Sequence, residues 1–422
     1  MKQFNSISVI GLGYIGLPTA TLFAKYGLDV NGVDVNQHAI DTINQGKIHI
    51  VEPGLDEAVF EVVKNGKLKA YLTTKAADAF IIAVPTPFKG EDYEPDLSYI
   101  EASCKAIAPV LKKGDLIILE STSPVGATEK VDEWLGEYRP DLTFPSKAGE
   151  ESDIRIAHCP ERVLPGKVME ELIENDRIIG GITPKCSQAA ADLYKTFVTG
   201  NCIITNSRTA EMCKLTENSF RDVNIAFANE LSMICDRLDI NVWELIELAN
   251  RHPRVNILQP GCGVGGHCIA VDPWFIVNKT PDLAKIIHTA RLVNDSKPTW
   301  VIDQVNNAVI DLLQKDPTKK LQDVKIACFG LAFKPDIDDL RESPALKITE
   351  RLAEKYQGQI YAVEPNIEQL PAKLANKEIH LMTTEKALVE ADILVLLVSH
   401  KEFYDMNFSK NQYLIDTIGL LK

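Results

Sequence analysis

Residues 8–20 read Ser-Val-Ile-Gly-Leu-Gly-Tyr-Ile-Gly-Leu-Pro-Thr-Ala, and this stretch decides the fold. A short apolar run, Ile7 to Ile10, feeds a turn with glycines at 11, 13 and 16, and a helical pattern follows from Pro18 to Tyr26. Gly11 permits the tight turn, Gly13 lets a pyrophosphate approach the backbone, and Gly16 lets the helix lie close to the strand. Tyr14 and Ile15 belong to the same turn. Phosphates would rest on the amides of the helix N-terminus. Asp29 to Val33 reads as a second strand, and it ends in Asp34. A carboxylate there accepts both ribose hydroxyls and repels a 2′-phosphate. The glycines alone would be a weak signal. Strand, turn, helix, strand and acid in that order predict NAD.

Further strand-like runs follow at Phe80–Val84, Leu116–Glu120, Ile154–Cys159 and Cys202–Thr205, alternating with helical patterns. This predicts a doubly wound sheet. Ligands of such sheets lie beyond the carboxyl ends of the strands. Thr86, Thr122 and Thr128, in the turns after two of the strands, are therefore candidates for the cofactor cleft, although turn-forming hydroxyls would look the same. Val324–Phe329, Gln359–Val363 ending in Glu364, Ile393–Val398 and Tyr413–Asp416 repeat the pattern with a degenerate glycine turn. The fold class expected is α/β, with two Rossmann-like doubly wound domains joined by a central helical dimerisation region. The divisions expected are 1–206, 207–303 and 304–422, with a polar linker at Asp316–Gln322.

The whole chain narrows the function. Its 422 residues are too many for one core. A formal charge of −14 argues against nucleic acid and anionic membranes as partners. No apolar run reaches membrane-spanning length, and no signal peptide precedes the first strand, so a cytoplasmic protein is expected. Nine scattered cysteines, with no zinc-like spacing, predict reduced thiols and no metal.

The second informative stretch is Gly261-Cys-Gly-Val-Gly-Gly-His-Cys-Ile-Ala-Val-Asp-Pro273. Gly263, Gly265 and Gly266 permit a tight backbone path. A helix over His267–Phe275 would hold Cys268 in its first turn, where unpaired amides and the helix dipole favour a thiolate. Asp272 would follow one turn on, on the same face. Upstream, Arg208–Leu238 reads as one long helix, with Lys214, Asn218 and Arg221 on one stripe. That stripe suits an oxyanion or anion site, or a solvated face. Glu161, after a strand, is a candidate to activate water, or a carboxylate at a strand end. His252 and Arg254 project from a turn broken by Pro253, suited to a diphosphate or to solvent.

A dinucleotide domain and a thiol form a coherent set. Oxidising an alcohol to an aldehyde needs no cysteine. Going on to the acid does, because an aldehyde offers a second carbinol hydride only after a nucleophile adds to it.

These motifs resemble the UDP-sugar 6-dehydrogenase family over the chain from Ser6 onward: GLGYIG, VPTP, ESTSPVG, CPERVLPG, CKLTENSFRDVNIAFANE, GVGGHCIAVDPWF and GLAFKPDIDDLRESP. NRHPRVNILQPG and LPGK…ENDRIIGG resemble the bacterial UDP-N-acetyl-D-mannosamine dehydrogenase branch. The resemblance implies NAD in the first domain, a UDP-sugar at the last, and a homodimer or higher homo-oligomer built on the middle helices. It implies four-electron oxidation at C6 of a UDP-N-acetylhexosamine for bacterial surface polysaccharide synthesis. Cys268 would be the nucleophile, set among Lys214, Asn218 and Asp272. Arg162, Val163, Arg221, His252, Arg254, Gly265, Phe333 and Lys334 would line the substrate, and Arg341 would reach the NAD. An arginine near position 254 enters the neighbouring subunit's sugar site in this family. UDP-glucose dehydrogenases often carry a second glutamate where this chain has Pro165. UDP-N-acetylglucosamine 6-dehydrogenase is the alternative within the class. A two-electron β-hydroxyacid dehydrogenase, which needs no Cys268, and an inactive nucleotide-binding regulator lie outside it.

Overall fold

The computed structural model describes residues 4–90, 92–164, 166–266, 268–409 and 412–420. Pro165 and His267 lie outside the described residues. The chain divides into two compact units, Met1–Glu217 and Asn218–Lys422. The boundary expected at 206/207 falls where the helix Ser207–Arg237 begins. The one expected at 303/304 falls inside the helix Lys285–Lys315.

The first unit is built on an eight-stranded sheet. Across it the strands run Cys202–Asn206, Arg177–Gly181, Arg155–His158, Leu116–Leu119, Ala79–Ile82, Ser6–Ile10, Asp29–Val33 and Leu68–Tyr71. Neighbours are parallel except at Arg155–His158 against Arg177–Gly181, where the direction reverses. The central strands are apolar without alternation because both faces are covered. Leu116 and Ile118 enter one core, while Ile117 and Leu119 enter the core on the opposite face. The chain order reverses between Ser6–Ile10 and Ala79–Ile82, and this opens a crevice beyond their carboxyl ends.

The second unit carries a five-stranded parallel sheet in the order His380–Leu381, Ile360–Val363, Ile326–Phe329, Ile393–Leu396 and Tyr413–Asp416. Its residues also alternate between two cores, with Ile326 and Cys328 in one and Ala327 and Phe329 in the other. The same doubly wound logic thus appears twice. Helices Val242–Ala249, Asp272–Lys279 and Lys285–Lys315 complete this unit together with the latter part of Ser207–Arg237.

One sequence reading changes. The helix expected from His267 begins instead at Asp272. Pro273 has no amide hydrogen and is at home in a first turn, so it fixes the start there. Cys268 therefore lies in the turn before the helix, its carbonyl accepting from the amides of Val271 (3.1 Å) and Asp272 (2.8 Å). Lys285–Lys315 runs through Pro298, which ordinarily costs a helix about 3 kcal/mol. The ring of Pro298 lies against Gly263, and so forms part of the floor under the cysteine loop. Among the described residues no helix is long and apolar enough to cross a membrane.

Candidate active site

The dinucleotide turn of the first unit is geometrically complete. Gly11 has φ of 91°, and its amide donates to the Val33 carbonyl at 2.8 Å. A Cβ on Gly11 would strike the Ala83 carbonyl, and one on Gly16 would strike the Gly11 carbonyl. At Gly13 a Cβ would meet nothing within 4 Å, which leaves the open approach a pyrophosphate needs. Tyr14 is partly exposed and Ile15 is the N-cap of the following helix. Asp34 accepts from the amides of Leu12 and Asn36, each at 2.9 Å. Its remaining lone pairs can take ribose hydroxyls. Val35 is 95% exposed and Asn36 caps the next helix, so neither offers a cation to a 2′-phosphate. These features fit NAD. His49, which the sequence reading missed, stands near Asp34. Burial lowers its pKa, and the Asp34 charge opposes that shift.

Thr86 donates to the Thr122 carbonyl, so the two threonine turns are tied together at the carboxyl ends of their strands. Thr128 lies in the first turn of the helix Ala127–Tyr138. It is fully buried, and its amide (2.7 Å) and hydroxyl (2.6 Å) both donate to Glu211. Glu211 also accepts from the Gly126 amide at 2.7 Å, placing a carboxylate on the N-terminus of the helix Ala127–Tyr138.

Glu161 is buried. One carboxylate oxygen accepts the Arg162 amide and the other lies 3.0 Å from the Arg177 guanidinium. Arg177 also reaches Glu120 at 3.6 Å, and Tyr194 and Thr19 donate to Glu120. The Arg162 guanidinium pairs with Glu217 at 2.7 Å, and Val163 is half-buried against the core. Burial pushes the Glu120 carboxyl up to about 7, opposed by Arg177 and reinforced by the Glu161 charge. Between pH 4.5 and 7 the folded state then holds a proton that the unfolded chain releases, so this group destabilises the fold as pH rises through that window. Glu120→Gln removes the titration. Its Tm relative to wild type is expected to increase from about pH 5 to about pH 8, by the equivalent of roughly a few kcal/mol. A difference that stays constant with pH would mean Glu120 is already ionised at pH 5.

In the second unit the cysteine loop has one backbone path. A Cβ on Gly265 would sit 2.7 Å from the Glu342 carbonyl oxygen and 2.9 Å from the Phe333 Cβ. Gly266, at φ of 81°, lies on the Phe333 ring. Cys268 is exposed at the end of this path. Asp272 is buried and accepts a hydrogen bond from the Asn218 amide group. Lys214 precedes Asn218 by one turn of the same helix and so shares its face. Arg341 pairs with Asp339. The turn that carries His252 and Arg254 is closed by Asn250, which exchanges two hydrogen bonds with the Ile257 backbone. His252, Arg254, Arg221 and Lys334 are exposed. Among the described residues no carboxylate pairs with Lys214, Arg221, Arg254 or Lys334, which leaves these cations able to meet an anionic ligand.

The second sheet treats its acid differently. Glu364 is buried and accepts from the amides of Leu331 (2.7 Å) and Ala332 (3.0 Å), with His400 at 3.0 Å. Burial alone would raise its pKa, but His400 and the turn amides hold it below the usual carboxyl value. Glu364 locks the turn instead of offering itself to a ribose. Asp336, His400 and Glu402 bring three ligand-type atoms together, yet both ring nitrogens of His400 are engaged within the protein.

A dinucleotide-binding unit, an exposed cysteine and a second nucleotide-type sheet fit an NAD-dependent oxidoreductase acting on a nucleotide-linked substrate. The comparisons agree. The NAD-binding, central and UDP-binding domains of the UDP-glucose/GDP-mannose dehydrogenase family match residues 5–198, 208–296 and 327–422. The chain belongs to that family. It is 65% identical over 420 residues to UDP-N-acetyl-D-mannosamine dehydrogenase of Yersinia pestis, covering 99% of each chain. It is 61% identical to the NDP-N-acetyl-D-galactosaminuronic acid dehydrogenase of Ralstonia nicotianae, covering 99% of this chain and 96% of the relative. Among solved structures, the UDP-N-acetyl-mannosamine dehydrogenase Cap5O from S. aureus superposes with a TM-score of 0.84 at 45% identity, over 99% of this chain and 96% of the other.

Proposed function

We propose that this protein oxidises C6 of UDP-N-acetyl-D-mannosamine to the carboxylate, in the cytoplasm, for bacterial surface polysaccharide synthesis. The observation that carries the reading is Cys268, exposed at the end of a glycine path that rests on Phe333 of the UDP-binding domain. Arg162, Arg221, Arg254 and Lys334 would meet the anionic and polar parts of the substrate. The turn Gly11–Gly16 and Asp34 would hold NAD, which would supply a hydride acceptor for each oxidation. In the first oxidation the C6 hydride leaves, the hydroxyl proton passes to solvent water, and an aldehyde remains. The Cys268 thiolate then forms a C–S bond to C6, and the carbonyl oxygen becomes an oxyanion that Lys214 and Asn218 stabilise. Loss of the second C6 hydride restores the C=O bond as a thioester. Glu161 takes a proton from water, which attacks the thioester carbonyl and releases the acid and the thiolate. Asp272, bonded to Asn218, keeps that amide oriented.

The sugar is the open choice. UDP-N-acetylglucosamine differs only at C2, and the 61% identical relative is named for a galactosaminuronate. A screen of UDP-N-acetylhexosamines with NAD, read by product mass, is expected to give the highest kcat/KM with the manno epimer. A preference for another epimer would move the assignment to that sugar and leave the chemistry intact.

The working form is proposed to be a homodimer. Phe220, Phe227 and Ile234 recur every seven residues along the helix Ser207–Arg237, and are 69%, 53% and 46% exposed. Such a seam is the kind that pairs with another helix. Arg254 is proposed to complete the partner's sugar site. Mixing inactive Arg254→Ala with inactive Cys268→Ala under subunit exchange should restore activity. Proven heterodimers that stay inactive would place Arg254 in its own subunit's site or outside the site.

A further inference from the structure

The segment Gly261–Asp272, which holds Cys268, meets the helix Ser207–Arg237 at both of its ends. At the far end Asn218 donates to the Asp272 carboxylate. At the near end the Gly261 amide donates to Asn229 Oδ1 at 2.9 Å. Asn218 and Asn229 are eleven residues apart, close to three helical turns, so they lie on one face, about 16 Å apart along the axis. Asn229 is fully buried and is itself held. Its Nδ2 donates to Asn294 Oδ1 at 2.9 Å, and Asn294 Nδ2 donates to Asp222 Oδ1 at 2.8 Å. Arg291, also buried, donates to the same Asp222 oxygen at 2.6 Å. The anchor is therefore set in a chain of paired side chains running between two helices, which fixes its orientation.

Between the two anchors the backbone is confined from below. A Cβ at Gly263 would lie 2.8 Å from Pro344 Cβ and 3.2 Å from Pro298 Cγ, and Gly265 and Gly266 lie on Phe333. Cys262 buries its side chain in the core of this unit beside Gly261, but Gly263, Gly265 and Gly266 have no side chains to fix their position along the floor. The two asparagines add hydrogen-bonded registration at the ends of the path.

We propose that Asn229 is a positioning residue for Cys268, the second of two clamps that hold the cysteine loop to the helix. This rests on the reading of Cys268 as the nucleophile. Asn229 touches neither substrate nor cofactor in this account. It acts through the Gly261 amide and sets where the thiol stands. Removing it releases one end of the loop while Asn218 still holds the other.

The test uses the full-length enzyme with Asn229→Ala. Acid formation is expected to fall roughly 10- to 100-fold, as for a reacting group misplaced by about 1 Å. Binding of NAD and of UDP, measured by calorimetry, should stay within about twofold. The pH profile for alkylation of Cys268 by iodoacetamide, followed on its own peptide by mass, should shift from that of wild type. Unchanged acid formation with an unchanged alkylation profile would overturn the proposal, and so would a parallel loss of NAD and UDP binding. The alkylation profile separates this proposal from the nucleophile reading: a shifted profile with activity intact would retain the clamp and reject Cys268 as the catalytic thiol. If the alanine variant does not fold, hydrogen exchange on the unaltered protein decides. The Gly261 amide should exchange much more slowly than the amides of Gly263–Gly266, and equal rates would refute the clamp.

Discussion

Cys268→Ser is expected to abolish formation of the 6-carboxylate, with a loss on the order of 10³-fold or more, the scale seen when a nucleophile is removed. The substitution is nearly isosteric at an exposed position in a turn, so the loop should keep its path across Pro298, Phe333 and Pro344. A serine hydroxyl is a poor nucleophile without an adjacent base. The turn at Cys268 is closed by backbone bonds from Val271 and Asp272 to its carbonyl, and these do not depend on the side chain. NAD and UDP binding should therefore survive. Intact binding with acid formation near the wild-type rate would leave Cys268 with a structural role only.

Glu161→Gln should separate the last step from the first two. Glutamine keeps an oxygen for the Arg162 amide, and Arg177 retains the Glu120 carboxyl as a neighbour at 3.6 Å, so the local fold has the means to persist. An amide cannot take the proton of the attacking water. Loss of a general base typically costs about 10²- to 10⁴-fold. The thioester on Cys268 should then accumulate and appear as an added acyl mass on the intact protein. Equal slowing of every step, with no adduct, would make Glu161 a partner for Arg177 and no more.

The parts of this molecule that could be read from its sequence are those fixed by local chemistry. Asp29–Val33 and Tyr413–Asp416 are strands with the bounds their apolar and branched residues indicate. Gly11 and Gly16 occupy positions where a side chain would collide with a carbonyl. Arg177–Gly181 escaped the reading because two of its five residues are glycines, and its reversed direction is set by its neighbours in the sheet. Pro273, a first-turn residue by its own geometry, could have placed the helix start after Cys268. Pro298 lies inside a helix that a proline alone would interrupt, so tertiary contacts sustain it there. The engagements of Thr128 with Glu211 and of Glu161 with Arg177 join residues 83 and 16 positions apart, and no local spacing announces them. The same holds for Asn229. Its partner Gly261 is 32 residues away, and nothing in the run Asn-Ile-Ala-Phe-Ala-Asn distinguishes a loop clamp from an ordinary buried amide.

The central claim is that one site, using one thiol, carries an alcohol through two oxidations to an acid. The most direct measurement is the number of NADH formed per UDP-N-acetyl-D-mannosamine consumed, taken to completion with the product mass read in the same reaction. The account predicts two NADH and a 6-carboxylate, with no aldehyde released. One NADH per substrate, with aldehyde as the final product, would contradict it.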